Sequence, residues 1–293
     1  MLSRLKQEFS RLRRRISGLP GQVIENSLIA VQATNLLPRK EKTDFKRLSK
    51  DDSHPGGYPS LMSYMERYMS LHLEREVSRL KKQILALCSM VEESCLKAIQ
   101  SLADNDIRLA QSVIGNDDQI DDLEILVEEE CMKILALHQP VAVDLRYIVS
   151  MLKINNDLER IGDLSVDIAG HVINLQSKPT FVNPVDLKIM AEKVLRMVKD
   201  ALDALIRLNH RAAYQVCSMD DEVDADCIEI QRALESAIQK DPQHVSALMD
   251  VYSMASYLEQ MADHAKKVSE DVIYLVEAHI VRHRKWQPQQ DKN

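Results

Sequence analysis

From about Leu71 onward, apolar residues recur at helical spacing with almost no interruption, and this restricts the chain to an all-α fold. Ile120, Leu123, Val127, Cys131 and Ile134, for example, follow one another at steps of three and four, which lays them along one face of a helix. Beyond Gly170 there is no glycine, and aromatic residues amount to 4% while Leu, Ile, Val, Met and Ala are plentiful. That composition favours packed helices over sheets. The pattern predicts six helices, at about 72–103, 106–137, 142–176, 185–209, 211–239 and 243–284, with Pro140, Pro184 and Pro242 in the joints, where a missing N–H does least damage.

The segment Ser177-Lys178-Pro179-Thr180-Phe181-Val182-Asn183-Pro184 divides these helices three and three, so that each half is expected to form a bundle. The halves also repeat one another. Asn116-Asp117-Asp118-Gln119-Ile120-Asp121 returns 103 residues later as Met219-Asp220-Asp221-Glu222-Val223-Asp224. Leu158-Glu159-Arg160-Ile161-Gly162-Asp163 returns 100 residues later as Leu258-Glu259-Gln260-Met261-Ala262-Asp263. An internal duplication with a short deletion near Pro242 accounts for both offsets. The expected architecture is therefore all-α, two tandem three-helix bundles at 71–177 and 184–284, with a tail of 285–293.

Residues 1–70 have a different character. The first 60 hold four of the seven glycines and four of the nine prolines, with Ser53-His54-Pro55-Gly56-Gly57-Tyr58-Pro59 as a breaker, so a flexible leader is expected, with Met62, Met65 or Met69 as alternative starts. Residues 1–50 carry 12 Lys or Arg against 4 Asp or Glu, a surplus of +8 that leaves −15 for the remainder of a chain of formal charge −7. Arg4 to Ile16, with Arg13-Arg14-Arg15, fits a short basic helix touching anionic lipid or a solvated tail. An acidic body lacks the clustered cations that nucleic-acid phosphates require. No apolar run reaches the roughly 20 residues of a membrane span, so the chain is expected to be soluble and peripheral to a membrane at most. Five cysteines, without CxxC spacing, fit a reduced, cytoplasmic setting.

The chemistry lies in stacked acids. Residues four apart share a helix face, which pairs Asp117 with Asp121, Glu159 with Asp163, and Asp163 with Asp167. The second half repeats the arrangement with Asp220 and Asp224, then Glu259 and Asp263. Like charges at that spacing cost about 0.2–0.5 kcal/mol per pair, which a cation would offset. Oxygen ligands suit iron(III), manganese, magnesium or calcium, and no Cys or His recurs beside these acids to favour zinc. Spacing alone fits either metal sites or a metal-free scaffold whose solvated acids pair with Arg146 and Arg160. His138, His171 and His264 are expected in ordinary surface or core roles, and Cys95, Cys131 and Cys217 as small apolar packing groups. No Ser/His/Asp elbow, Gly-rich phosphate loop or Glu-x-x-His pair occurs, so enzymatic chemistry, including that of a di-iron carboxylate oxidase, lacks its usual signature.

His138-Gln139-Pro140-Val141-Ala142-Val143-Asp144-Leu145-Arg146 and Lys153-Ile154-Asn155-Asn156-Asp157-Leu158-Glu159-Arg160-Ile161-Gly162-Asp163 resemble the PhoU family of phosphate-uptake regulators. Tyr257-Leu258-Glu259-Gln260-Met261-Ala262-Asp263-His264 and the stretch from Ser269 to Glu277 are similar to that family's closing helix, so the resemblance covers about 70–284. It implies two tandem three-helix bundles whose E(D)xxxD motifs hold iron or another oxygen-preferring metal, here at Glu159/Asp163 and Glu259/Asp263, faced by Asp117/Asp121 and Asp220/Asp224. It further implies a cytoplasmic, homodimeric, non-enzymatic negative regulator that binds a sensor histidine kinase and the ATPase of a phosphate ABC transporter. Such a regulator keeps the starvation response off when phosphate is ample. Two departures stand out: Gln260-Met261-Ala262 replaces Arg160-Ile161-Gly162, and Lys267 takes the place of Asp167. The second site is accordingly expected to bind metal more weakly, and the basic leader lies outside the resemblance.

Overall fold

The computed structural model of the chain describes residues 59–179 and 181–281, with side chains from His72 onward. Among these residues the regular structure is helical throughout: α1 (Pro59–Asp104), α2 (Ile107–Ile114), α3 (Asp117–His138), α4 (Ala142–Gln176), α5 (Lys188–Arg207), α6 (His210–Lys240), a 3-10 turn (Pro242–His244) and α7 (Val245–Glu277). The leader up to residue 58, including Arg4 to Ile16, and the tail beyond 281 lie outside the described residues.

Local chemistry sets several of these boundaries. Asp106 caps α2 by accepting hydrogen bonds from the N–H groups of Arg108 and Leu109, and Asn209 caps α6 through the N–H of Ala212. Each satisfies a donor that the first helical turn leaves without a partner. Pro242 opens the 3-10 turn behind Asp241, whose side chain accepts from Gln243 N–H.

Three boundaries differ from expectation. Helix α1 begins at Pro59, not near 72; proline is tolerated in a first turn, and the Leu- and Met-rich sequence after it contains no breaker. The helix expected at 106–137 is two helices. Gly115, the weakest helix former available short of proline, ends α2 with its N–H on the carbonyl of Gln111, while the N–H of Asn116 reaches the carbonyl of Val113. In the second half Ser218 takes the corresponding place and α6 runs through without interruption. Finally, α7 stops at Glu277 and not at 284, where Ala278 adopts a left-handed conformation (φ 58°) and donates to the Tyr274 carbonyl. Such caps are usually announced by glycine, and here none is present.

Residues from His72 onward form one compact unit. Helix α7 packs against α4, α5 and α6, and α4 packs against α2, α3 and α7, so α4 and α7 join the halves. Ile154, Leu158, Ile161, Leu164 and Ile168 of α4 are fully buried in the same core as Leu258, Met261, Val268 and Val272 of α7. Each such side chain contributes about 1.5–3 kcal/mol by leaving water. No helix of the described residues is long and apolar enough to cross a membrane.

Candidate metal centre

The first-half site forms where the start of α3 meets the middle of α4. Asp117 and Asp121 stand on α3 and Asp163 on α4, and their carboxylate oxygens lie within 4.8 Å of one another. Partial burial, then the charges of Asp121, Asp163, Asp118 and Asp167, push the Asp117 carboxyl up to about 6. Glu159 rises to about 7, first through burial and then through the charge of Asp163 and a hydrogen bond shared with it, with Asp121 and Glu124 adding to the effect. Of the acids expected in this half, Asp117, Asp121 and Asp163 share the cluster, Glu159 shares a hydrogen bond with Asp163, and Asp167 acts on Asp117 through its charge. Oδ1 of Asp117 is buried without a hydrogen-bond partner, as is Oδ1 of its second-half counterpart Asp220. Arg160 Nη1 reaches Asp163 Oδ2 at 3.2 Å from a half-exposed position, where an ion pair is worth at most about 1 kcal/mol. Asp117 and Asp118 also lie in the first turn of α3, whose dipole favours negative charge.

Sequence reasoning missed Glu124 here and Asp221 in the second half. Glu124 is raised by burial and by Glu128 and Asp121, and Asn155 of α4 holds it by donating Nδ2 to Glu124 Oε1 at 2.7 Å and to the Glu124 carbonyl at 3.1 Å. Its position three residues after Asp121 and seven after Asp117 was a usable signal, because those steps return to one helix face.

The second half assembles Asp220, Asp221 and Asp224 on α6, again with oxygens within 4.8 Å. Asp224 is raised by burial, Asp220 and Asp263, and Glu259 by burial, Asp263, Asp224 and Asp220. The surroundings differ from the first half. The ammonium of Lys266 pairs with Oδ2 of Asp220, a residue only 2% exposed. Burial works against the Lys266 charge, but the bond to Asp220 and the charges of Asp220, Asp263 and Glu270 outweigh it and hold the ammonium above its ordinary value. The lysine that enters the cluster is therefore Lys266, whose first-half counterpart is Val166, while Lys267 acts on Glu259 by lowering it. Nor are the neighbours all oxygen. Cys227 stands where the first half has Glu124, and burial, with Glu259 and Asp224, pushes its thiol up to about 11.

The histidines have defined partners. His138 Nε2 meets Glu76 Oε2 at 2.7 Å, His171 Nδ1 meets Asp250 Oδ1 at 2.9 Å, and His264 Nδ1 meets Asp157 Oδ1 at 2.9 Å. Cys95 and Cys131 are fully buried, Cys217 is partly so, and all are free thiols.

Duplicated helical bundles with carboxylates gathered at the same point of each half define a class of internally repeated, all-α protein. A PhoU domain matches residues 72–172 and again 187–272, and the chain belongs to the PhoU family. It is 36% identical over 220 residues to the phosphate-specific transport system accessory protein PhoU homolog of Pseudomonas putida, covering 75% of this chain and 86% of that one. The homolog from Aquifex aeolicus is 36% identical over 214 residues, covering 73% and 97% respectively. The crystal structure of PhoU from Pseudomonas aeruginosa superposes with a TM-score of 0.68 at 35% identity, over 70% of this chain and 99% of that one. The phosphate transport system regulatory protein PhoU from Streptococcus pneumoniae gives 0.64 at 26% identity, over 73% and 99%.

Proposed function

We propose that the chain is a metal-binding regulator of phosphate uptake and signalling that works by docking and not by turnover. Its partners in this proposal are a sensor histidine kinase and the ATPase of a phosphate ABC transporter, its setting the cytoplasm, its assembly a homodimer, and its effect repression of the starvation response while phosphate is plentiful. Support comes from the family, whose members are named accessory and regulatory proteins of phosphate transport. The observation that carries the metal assignment is the convergence of Asp117, Asp121 and Asp163 from two helices, with a buried Asp117 oxygen that no donor satisfies.

The donor set fits a hard cation. Asp117, Asp121, Glu124, Glu159, Asp163 and Asp167 offer only oxygen, which iron, manganese or magnesium accept and soft metals do not prefer. Bound there, a cation would neutralise the crowded charge and tie α3 to α4. Metal content of protein purified without chelator tests the assignment: Glu159→Gln with Asp163→Asn is expected to lower it, and an unchanged content would remove the metal site. For the regulatory role, a strain lacking the gene is expected to express phosphate-starvation genes in phosphate-rich medium; normal repression there would point to another pathway.

A further inference from the structure

We infer that Lys266 is the resident counter-ion of the second-half cluster, so that this half takes up no metal ion while the first half does. The inference rests on the metal assignment for the first half, and it departs from the equivalence that the duplication suggests. An ammonium on α7 bonded to a buried carboxylate on α6 neutralises charge and joins two helices, which is the work a metal would do.

The replacements around it run the same way. At corresponding positions the first half has seven acids (Asp117, Asp118, Asp121, Glu124, Glu159, Asp163, Asp167) and Arg160, a net −6. The second half has five acids (Asp220, Asp221, Asp224, Glu259, Asp263) with Lys266 and Lys267, a net −3. Glu124 becomes Cys227 and its anchor Asn155 becomes Ala255, so a ligand and the group that positions it are lost together. An incoming divalent cation would have to displace Lys266 from an Asp220 that is 2% exposed. The displaced ammonium would lose its buried partner and leave a like charge beside the incoming ion, and both oppose the exchange.

Binding of Mn(II) to the full chain, measured by equilibrium dialysis with electron paramagnetic resonance of the free ion, decides the matter. The unaltered chain is expected to show one class of site, lost in Glu159→Gln with Asp163→Asn and unchanged in Asp224→Asn. Lys266→Met is expected to gain a second class that is missing from Lys266→Met with Asp224→Asn, and to show a melting temperature that Mn(II) restores; Lys266→Arg, which keeps the charge, should gain nothing. Loss of an Mn(II) class in Asp224→Asn alone would overturn the inference, whether or not Lys266→Met folds. So would a folded Lys266→Met that binds no additional ion. If the unaltered chain binds no Mn(II) and Lys266→Met does, the first-half metal assignment fails while the role of Lys266 stands.

Discussion

His264 on α7 shares a hydrogen bond between its Nδ1 and Oδ1 of Asp157 on α4, at 2.9 Å, and so ties the second half of the chain to the first. His171 of α4 and Asp250 of α7 make the same contact at the same length further along the seam. The antiparallel course of these two helices brings the pairs into register. Neither pair is the image of the other under the duplication, since Asp157 corresponds to Tyr257 and Asp250 to Ser150. The ties therefore belong to the union of the halves and not to either bundle.

Replacing His264 by Ala is expected to cost about 1–3 kcal/mol, the penalty for leaving a buried polar group without its partner, because Asp157 is only 8% exposed. Urea denaturation of His264→Ala, Asp157→Ala and the double variant measures it. The two changes should couple by at least about 0.5 kcal/mol, the range found for residues in contact. Additive losses would mean that the bond contributes nothing to joining the halves.

Asp117 and Glu159 have carboxyls raised to about 6 and about 7, above the ordinary range near 4 that the unfolded chain shows. Between those limits the folded state binds more protons than the unfolded one, so stability decreases as pH rises. In the presence of chelator, the contribution of these two groups is expected to be fully present below about pH 4 and to be lost progressively by about pH 7. Thermal melts across that interval should show a shallower fall in Asp117→Asn with Glu159→Gln than in the unaltered chain. Equal slopes in the two proteins would count against a crowded, desolvated cluster.

The helical register, the duplication and the stacked carboxylates were legible because each depends only on spacing along one helix. What escaped depends on neighbours. Lys267 aligns with Asp167, yet Lys266 is the residue that meets Asp220; consecutive residues point roughly 100° apart around a helix, and which of two adjacent lysines faces α6 is fixed by packing. The His264–Asp157 and His171–Asp250 contacts span separations of 107 and 79 residues, so no local pattern announces them. The end of α7 at Ala278 was hidden for the opposite reason: a left-handed alanine gives no sign in the sequence.

Gly162 shows how closely α4 approaches α3. A Cβ built there would lie 3.3 Å from Ile120 Cγ2 and 3.4 Å from its Cδ1, so Ile120 would have to give way. The corresponding second-half residues are Ala262 and Val223, both buried, a pair that moves one methyl group across the interface. Gly162→Ala alone is expected to be destabilising by up to about 1 kcal/mol, overpacking outweighing the gain in helix propensity. Gly162→Ala with Ile120→Val should regain stability at least to the level of the unaltered chain. Denaturant midpoints compare the three proteins, and a double variant less stable than the single one would refute the exchange.

Asn155 is 1% exposed and spends both Nδ2 hydrogens on Glu124, one on the side chain and one on the carbonyl. Its part in the cluster is to hold the Glu124 carboxylate, so its loss should weaken cation binding without removing a ligand. Asn155→Ala is expected to raise the apparent Kd for Mn(II) several-fold, less than Glu159→Gln does, because an untethered Glu124 spends rotamer freedom on binding that the hydrogen bond now withholds in advance. Glu124→Gln should weaken binding too, and the Asn155→Ala change should then add little to it, since both act through one side chain. Isothermal titration of the three variants separates these outcomes. Full additivity between Asn155→Ala and Glu124→Gln would show that Asn155 shapes α4 generally and does not position that carboxylate.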